Sequence, residues 1–169
     1  LDEEETLKIA IQFARKAIEK LAVDCEIVVA DNGSTDKSVE IAEALSARVI
    51  HVPSRGYGNA LIHGIQEAEG EYIVIGDADG TYDFFESVAF IKKLQEEKVD
   101  IVMGSRLNGN IEKGAMPFLH RYLGTPVLSF LIRLFFGLKI SDCNCGMRAF
   151  TKSAFEKMNL ISGGMEFAS

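Results

Sequence analysis

Four short apolar segments alternate with amphipathic segments along the first two thirds of the chain, and this alternation restricts the fold more than any other feature. The apolar segments have the length and residue types of buried strands, whereas the amphipathic ones repeat apolar residues at three- and four-residue steps, as helices do. Strands that alternate with helices are typical of an α/β fold with a largely parallel sheet. The predicted strands are 25–30, 47–52, 71–76 and 100–105, and the predicted helices are 3–21, 37–46, 58–69 and 84–98.

Length and charge limit the classes of protein that the chain can belong to. It has 169 residues, of which 47% are hydrophobic, and this is enough for one domain with its own core over residues 1–169. The net charge of −7 argues against general nucleic-acid binding. Residues 104–169 carry eight basic and four acidic side chains, whereas residues 1–103 are strongly acidic. An anionic partner would therefore favour the C-terminal third.

Charged side chains follow three of the predicted strands at the point where each strand ends. Asp31 follows the first strand, Asp77 the third and Arg106 the fourth. The carboxyl ends of parallel strands form the edge at which α/β proteins bind ligands. An aspartate after a strand can also do no more than cap a turn, and for Asp31 that interpretation stays open. It is weaker for Asp77 and Asp79 together, because one cap does not need two carboxylates.

The segment "DADGT", residues 77–81, is compatible with two chemistries, of which the first is phosphoryl transfer. In haloacid-dehalogenase-like phosphatases the first aspartate of such a motif takes the phosphoryl group, and the second is its acid and base. Those enzymes carry the motif on their first strand and need a later acidic pair that holds magnesium. Here two predicted strands and three helices precede the motif, and Asp100 and Asp142 each stand alone after it. The phosphatase interpretation is therefore rejected.

The second chemistry is a divalent cation held against a diphosphate. Side chains at positions i and i+2 of an extended segment point the same way, with Cα atoms about 6–7 Å apart. Carboxylate oxygens suit Mg²⁺ or Mn²⁺, which commonly complete their coordination with phosphate oxygens and water. Gly80 lets a ligand approach the backbone closely. The pair therefore predicts a Mg²⁺ or Mn²⁺ site with Asp79 and Asp77 as ligands.

Cysteine usage and hydropathy indicate the compartment. Cys143 and Cys145 are too few for a zinc site, and Cys25 opens an apolar strand. Three cysteines and no secretion signal favour a reducing environment. The sequence contains no run of 18 apolar residues, so no membrane span is predicted. A cytoplasmic protein, at the cytoplasmic face of a membrane, is expected.

A long apolar helix is predicted over residues 117–136, and two interpretations of it are open. It can pack in the core with its arginines reaching solvent, or it can lie on a membrane surface. An interfacial helix needs an apolar stripe and basic residues together, and the segment has both. The stripe consists of Leu119, Leu123, Val127, Leu131 and Phe135, and the arginines are Arg121 and Arg133.

Five motifs occur in order along nearly the whole chain. They are "DEEETL" (2–7), "EIVVADNGSTDKS" (26–38), "RGYGNALIHGIQEAEGEYIVIGDADGTYDF" (55–84), "DIVMGSR" (100–106) and "SDCNCGMRAF" (141–150). Together they resemble family 2 glycosyltransferases of the GT-A fold, close to the dolichyl-phosphate and polyprenyl-phosphate sugar synthases. The resemblance implies metal-dependent transfer of a sugar from a UDP- or GDP-sugar to an acceptor. It also implies that the family's first strand lies outside these residues, so a fragment with poor activity of its own is expected.

The resemblance further assigns roles to individual residues. Residues 1–103 become the nucleotide-sugar-binding half and residues 104–169 the acceptor-side half of one catalytic domain. Catalysis is assigned to the aspartate pair, with Asp142 as a hypothesis for a general base. The donor is expected to contact Glu3, Asp31, Asp77, Ala78, Asp79 and Arg106, and acceptor phosphate to contact Arg121 and Arg148.

A lipid phosphate, such as a polyprenyl phosphate, is favoured as the acceptor. It is already an anionic nucleophile and needs no strong base, whereas a hydroxyl acceptor needs one. Two other functions stay open. A nucleotidyltransferase shares this kind of sheet and metal, but usually has a glycine-rich basic loop after its first strand, a region outside these residues. A non-catalytic sensor of nucleotide sugars would keep Asp31 and the aspartate pair and make no product.

Overall fold

The computed structural model describes residues 1–106, 124–138 and 140–168, and it confirms the α/β class. All four predicted strands and the four predicted helices that alternate with them form, each within a few residues of the predicted bounds. The helices are α1 (Leu7–Leu21), α2 (Ser38–Ala44), α3 (Tyr57–Glu67), α4 (Ser87–Glu97), α5 (Thr125–Phe136) and α6 (Lys152–Met158). The strands are β1 (Val28–Asp31), β2 (Arg48–His51), β3 (Tyr72–Ile75), β4 (Ile101–Met103) and β5 (Arg148–Thr151).

The strands form two hydrogen-bonded groups. β1 pairs with β2 in parallel, as expected for strands joined by a helix. β5 lies between β3 and β4 and runs antiparallel to both, so β3 and β4 are parallel to each other. The sequence did not predict β5, whose four residues carry little strand pattern of their own. Its position matters for function, because the register sets Arg148 opposite Ile75, two residues before Asp77.

Residues 2–4 precede α1 and pair with the turn after β1, which explains why α1 begins at Leu7 and not at residue 3. The backbone N–H of Glu3 donates to Ser38 Oγ at 2.9 Å, and that of Glu4 donates to Asp36 at 3.0 Å. In return, Asp2 Oδ1 accepts from the backbone N–H of Thr35 at 2.7 Å. Two acidic segments, distant in sequence, therefore form one connected turn.

The loop that carries the aspartate pair, residues 76–80, packs against the hydrophobic core through Ala78. The side chain of Ala78 packs against the cluster that Leu7 and Ile11 of α1 form with α2. This contact places the aspartate pair directly beside the packed interior, immediately after β3. α3 lies beside this loop, and its Ile62 and Ile65 pack against Ile73 of β3.

The helix predicted over 117–136 appears as α5 from Thr125, and residues 117–123 lie outside the described part of the chain. Among the described residues, α5 does not bury its apolar side chains in the core. Its buried side chains are those of Thr125 and Ser129, and Ser129 Oγ accepts a hydrogen bond from the backbone N–H of Cys143. The apolar side chains face outward, with Phe135 74% exposed. Within the described residues, no helix is both long and apolar enough to cross a bilayer.

Candidate active site

Asp77 follows β3 and lies half-buried between groups from three other segments. Tyr57, at the start of α3, is one of these groups, and its hydroxyl acts to lower the pKa of the Asp77 carboxylate. On another side, a Cβ atom built on Gly146 would lie 2.9 Å from Asp77 Oδ2, so glycine is what allows this close approach. Burial, together with the nearby charge of Asp79, raises the pKa of Asp77, although Tyr57 and Arg148 act in the opposite direction. A cationic ligand would relieve this cost of burying the carboxylate.

Asp79 is exposed at the edge of the same loop. One of its oxygens, Oδ1, accepts a hydrogen bond from the backbone N–H of Thr81 at 2.9 Å. Gly80 adopts a φ of 82°, in the left-handed region that favours glycine, and this turns the chain sharply after the pair. The loop thus presents one fixed, half-buried carboxylate and one exposed carboxylate.

The donor set of this loop fits Mg²⁺ or Mn²⁺ bound together with a phosphate ligand. Within the ranges that the structure describes, no cluster of three or more histidine, cysteine, aspartate or glutamate side chains forms a closed metal site. Mg²⁺ is usually held by one or two carboxylates plus substrate phosphates, and not by an all-protein cage. Asp77 and Asp79 match that pattern, in which the diphosphate supplies the remaining oxygens.

Arg148 brings positive charge to this pair. It stands on β5, its Nε donates to the carbonyl oxygen of Cys145 at 2.9 Å, and its charge lowers the pKa of Asp77. The resemblance implied that Arg148 binds acceptor phosphate. The structure places Arg148 near Asp77, and its contact with phosphate remains a prediction.

Arg106 and Asp142 form an ion pair that joins the end of β4 to the segment before β5. Arg106 Nε lies 2.8 Å from Asp142 Oδ2, and a second guanidinium nitrogen lies 3.0 Å from Oδ1. The backbone N–H groups of Arg106 and Asn144 also donate to this carboxylate, which is 1% exposed. Burial alone would raise the pKa of Asp142, but the Arg106 guanidinium outweighs it and holds the pKa below its usual range.

This geometry corrects the hypothesis that Asp142 is a general base. A base must have a free lone pair within reach of the substrate proton, and a pKa near the working pH. The Asp142 carboxylate is buried, accepts hydrogen bonds from Arg106 and Asn144, and has a pKa that Arg106 lowers. Its role is to hold Arg106, whose side chain remains 30% exposed at the strand end.

Asp31 ends β1 and closes its own turn. Its carboxylate accepts from the backbone N–H groups of Gly33 and Ser34 and lies 3.3 Å from Nδ1 of His51. Burial raises the pKa of Asp31, but the hydrogen bonds from Ser34, His51 and Gly33 outweigh it, so the pKa is lowered overall. The turn-capping interpretation is thus observed, and contact with a nucleoside remains a prediction. Glu3, beside this turn, accepts a hydrogen bond from Thr6 Oγ1.

One predicted site residue cannot be placed, and several residues near Asp77 were not predicted from the sequence. Arg121 lies outside the described residues. Sequence reasoning missed Tyr57, Tyr82 and Gly146, which surround Asp77. The glycines that flank Tyr57 in "RGYG" were a usable signal, since paired glycines often mark a close backbone approach. Tyr82 and Gly146 gave no such signal, because their contact joins segments 64 residues apart.

Comparison with known proteins settles the family. The profile described as glycosyl transferase family 2 matches residues 1–158. The chain belongs to glycosyl transferase family 2. One relative is the low-salt glycan biosynthesis hexosyltransferase Agl6 of Haloferax volcanii, to which the chain is 41% identical over its whole length. The match covers 41% of the length of Agl6. It is also 27% identical over 164 residues to an undecaprenyl-phosphate 4-deoxy-4-formamido-L-arabinose transferase of Pectobacterium atrosepticum, covering 93% of this chain and 48% of the relative.

Solved structures agree with this family 2 assignment. Glucosyl-3-phosphoglycerate synthase of Mycobacterium tuberculosis, crystallised with Mn²⁺, UDP and glucosyl-3-phosphoglycerate, superposes with a TM-score of 0.63 at 25% identity. The match covers 90% of this chain and 54% of that one. It confirms the GT-A fold expected from the motifs. The chain spans about half the length of the relatives named here.

Proposed function

We propose that this family 2 protein transfers a sugar from a nucleotide-diphosphate sugar to a polyprenyl phosphate, with Mg²⁺ or Mn²⁺ as cofactor. One observation carries the proposal. Two carboxylates follow β3 directly, and the charge of Arg148 on β5 lowers the pKa of one of them, in a chain that belongs to glycosyl transferase family 2. Carboxylates that hold a cation, beside a guanidinium, suit the diphosphate of a sugar nucleotide.

The donor would lie across this edge with its diphosphate at the aspartate pair. Asp79 and Asp77 would hold the cation, which would offset charge on the leaving diphosphate. Arg148 and the exposed part of Arg106 would bind phosphate oxygens, since a guanidinium is always charged and binds phosphate in a bidentate manner. Glu3 and Asp31, on the connected turn beyond β1, would contact the base and ribose. The structural neighbour with UDP and Mn²⁺ supports a UDP-sugar, and a GDP-sugar is the alternative donor.

The choice of a lipid phosphate as acceptor rests on the ion pair and on one relative. With Asp142 bound to Arg106, the carboxylate that the sequence suggested as a base is occupied. An acceptor that is already an anion needs no base. The undecaprenyl-phosphate transferase of Pectobacterium atrosepticum is a relative whose description includes such a lipid.

A nucleotide-release assay on the full-length protein tests the proposal. The protein is incubated with UDP-glucose or GDP-mannose and Mn²⁺, with and without undecaprenyl phosphate. Release that depends on both the metal and the lipid, with the sugar recovered in the organic phase, is expected. Binding without release would indicate a sensor, and release that ignores the lipid would point to a sugar or protein acceptor.

We also propose that α5 lies on the membrane surface that holds this acceptor, on the cytoplasmic side. In an ordinary amphipathic helix the polar side chains face solvent, but in α5 the hydroxyl-bearing Ser129 is buried while Leu134 is 64% exposed. Arg133 is exposed on the same helix, and it belongs to the third of the chain with net positive charge. Apolar burial and attraction to anionic headgroups add at an interface.

Charge reversal at Arg133 is expected to weaken vesicle binding. Each basic residue near an anionic surface contributes about 1 kcal/mol, and reversing its charge changes the binding energy by about twice that amount, so Arg133→Glu should reduce partitioning roughly 30-fold at low salt. Co-sedimentation with phosphatidylglycerol vesicles measures it. Lys157→Glu makes the same change of charge on α6 and should leave binding within about twofold. If wild-type protein does not sediment with these vesicles, α5 serves another contact.

A further inference from the structure

A hydrogen bond joins the chain just after the aspartate pair to the segment before β5. The hydroxyl oxygen of Tyr82, three residues after Asp79, accepts from the backbone N–H of Gly146 at 2.8 Å. These two residues are 64 positions apart in the sequence. β3 and β5 are paired up to Ile75 and Arg148, so the bond continues the connection beyond the point where the strand pairing stops.

Gly146 lies where the Tyr82 hydroxyl and the Asp77 carboxylate approach each other. A Cβ atom built on Gly146 would lie 2.9 Å from Asp77 Oδ2 and 3.0 Å from the Tyr82 hydroxyl oxygen. The φ of Gly146 is not positive, so glycine is needed here for space and not for its backbone conformation. The backbone of Gly146 therefore lies directly against the carboxylate that would bind the cation.

The same segment also holds two arginines. Asp142 accepts hydrogen bonds from the guanidinium of Arg106 at 2.8 and 3.0 Å. The carbonyl oxygen of Cys145 accepts from Arg148 Nε at 2.9 Å. Residues 142–148 thus orient both guanidinium groups, and a single tyrosine hydroxyl ties this segment to the chain that carries the aspartate pair.

We infer that Tyr82 is a positioning residue of the donor site. Its hydroxyl holds residues 142–148 at a fixed distance from the aspartate pair, so that the cation and the two guanidinium groups bind the same diphosphate. The inference rests on the proposed function. Loss of a group that orients the partners of a metal site typically costs 10–100-fold in affinity or activity. Tyr82 acts through Gly146 and needs no contact with the substrate.

The test is Tyr82→Phe in the full-length protein, which keeps the ring and leaves the Gly146 N–H without its acceptor. UDP is titrated calorimetrically in the presence of Mn²⁺, and uridine, which lacks the diphosphate, is titrated by NMR. We expect UDP affinity to fall about 10-fold or more, with uridine affinity within about twofold of wild type. GDP and guanosine replace this pair if the wild type binds GDP more tightly.

Thr151→Val is the matched control. It also removes a hydroxyl that accepts from a backbone N–H, that of Ala154 at 3.1 Å, but at the opposite end of β5 from Arg148. Loss of one acceptor should lower the melting temperature of both variants by a few degrees. UDP affinity should fall in Tyr82→Phe and stay within about twofold of wild type in Thr151→Val.

Each other outcome overturns the inference. Equal UDP affinity in the wild type and Tyr82→Phe shows that Tyr82 does not position the site, while the proposed function stands. Equal losses of UDP and uridine affinity in Tyr82→Phe, or the same loss of UDP affinity in Thr151→Val, show a merely structural role. Wild-type protein that binds neither diphosphate more tightly than its nucleoside overturns the proposed function, and this inference with it.

Discussion

Asp79→Ala is expected to abolish Mn²⁺-dependent binding of UDP while leaving the fold intact. Asp79 is the exposed member of the pair, and the substitution removes a metal ligand that the protein itself supplies. Affinity for Mn²⁺ in the presence of UDP should therefore fall further than the roughly 10–100-fold caused by loss of an outer-shell partner. The substitution removes one hydrogen bond, from the Thr81 N–H, so stability should fall by about 1 kcal/mol. Calorimetric titration and thermal melting measure the two effects.

Asp24→Ala is the matched control for Asp79→Ala. It removes the same charge from an exposed position before β1, and should leave Mn²⁺ and UDP affinity unchanged. If Asp79→Ala bound Mn²⁺ and UDP as tightly as this control, the metal assignment would be wrong.

Asp142→Asn is expected to destabilise the protein by about 2–4 kcal/mol, because it leaves Arg106 without its counter-charge. This is somewhat below the roughly 3–5 kcal/mol typical of broken buried pairs, since the Arg106 side chain is partly exposed and water can solvate it. Urea denaturation at pH 7 measures the loss. Replacing both partners by apolar residues, Arg106→Met with Asp142→Leu, should recover only part of it. Neither charge is then buried alone, but the backbone N–H groups of residues 106 and 144 lose their acceptor.

The pH dependence of this effect has a definite sign. Arg106 lowers the pKa of Asp142 in the folded state, so the ion pair contributes fully above the unfolded pKa of about 4. The contribution is lost as the pH falls through the lowered folded pKa. The stability difference between wild type and Asp142→Asn should therefore be constant from pH 5 to pH 8 and shrink in stronger acid. Unchanged stability in a variant without turnover would instead restore the general-base hypothesis.

The sequence predicted the parts of the site that depend on local pattern. Asp77 and Asp79 were found because an apolar run leads directly into them, and the periodicity of the flanking segments placed that run in a sheet. Long-range contacts carry no such local signal. The role of Asp142 depends on Arg106, 36 residues away, and the backbone beside Asp77 is held by the hydrogen bond from Gly146 to Tyr82, 64 residues away.

The fold shows the same division between local and long-range information. α1 to α4 and β1 to β4 follow from repeats of apolar residues that are read within each segment. β5 was missed because its strand conformation depends on pairing with β3 and β4, and both of these lie far away in sequence. For α5, periodicity predicted the helix correctly but could not distinguish an apolar face in the core from one turned outward.

Anomalous diffraction at the manganese edge, from crystals of the full-length protein with UDP and Mn²⁺, tests the central claim most directly. The account predicts one strong peak within coordinating distance, about 2.0–2.3 Å, of an Asp79 oxygen, with the diphosphate on its far side. It also predicts that the uridine lies over the turn that Asp31 closes. A peak bound by other residues, or a nucleoside on the opposite side of the sheet from Asp31, would contradict the assignment of this edge as the donor site.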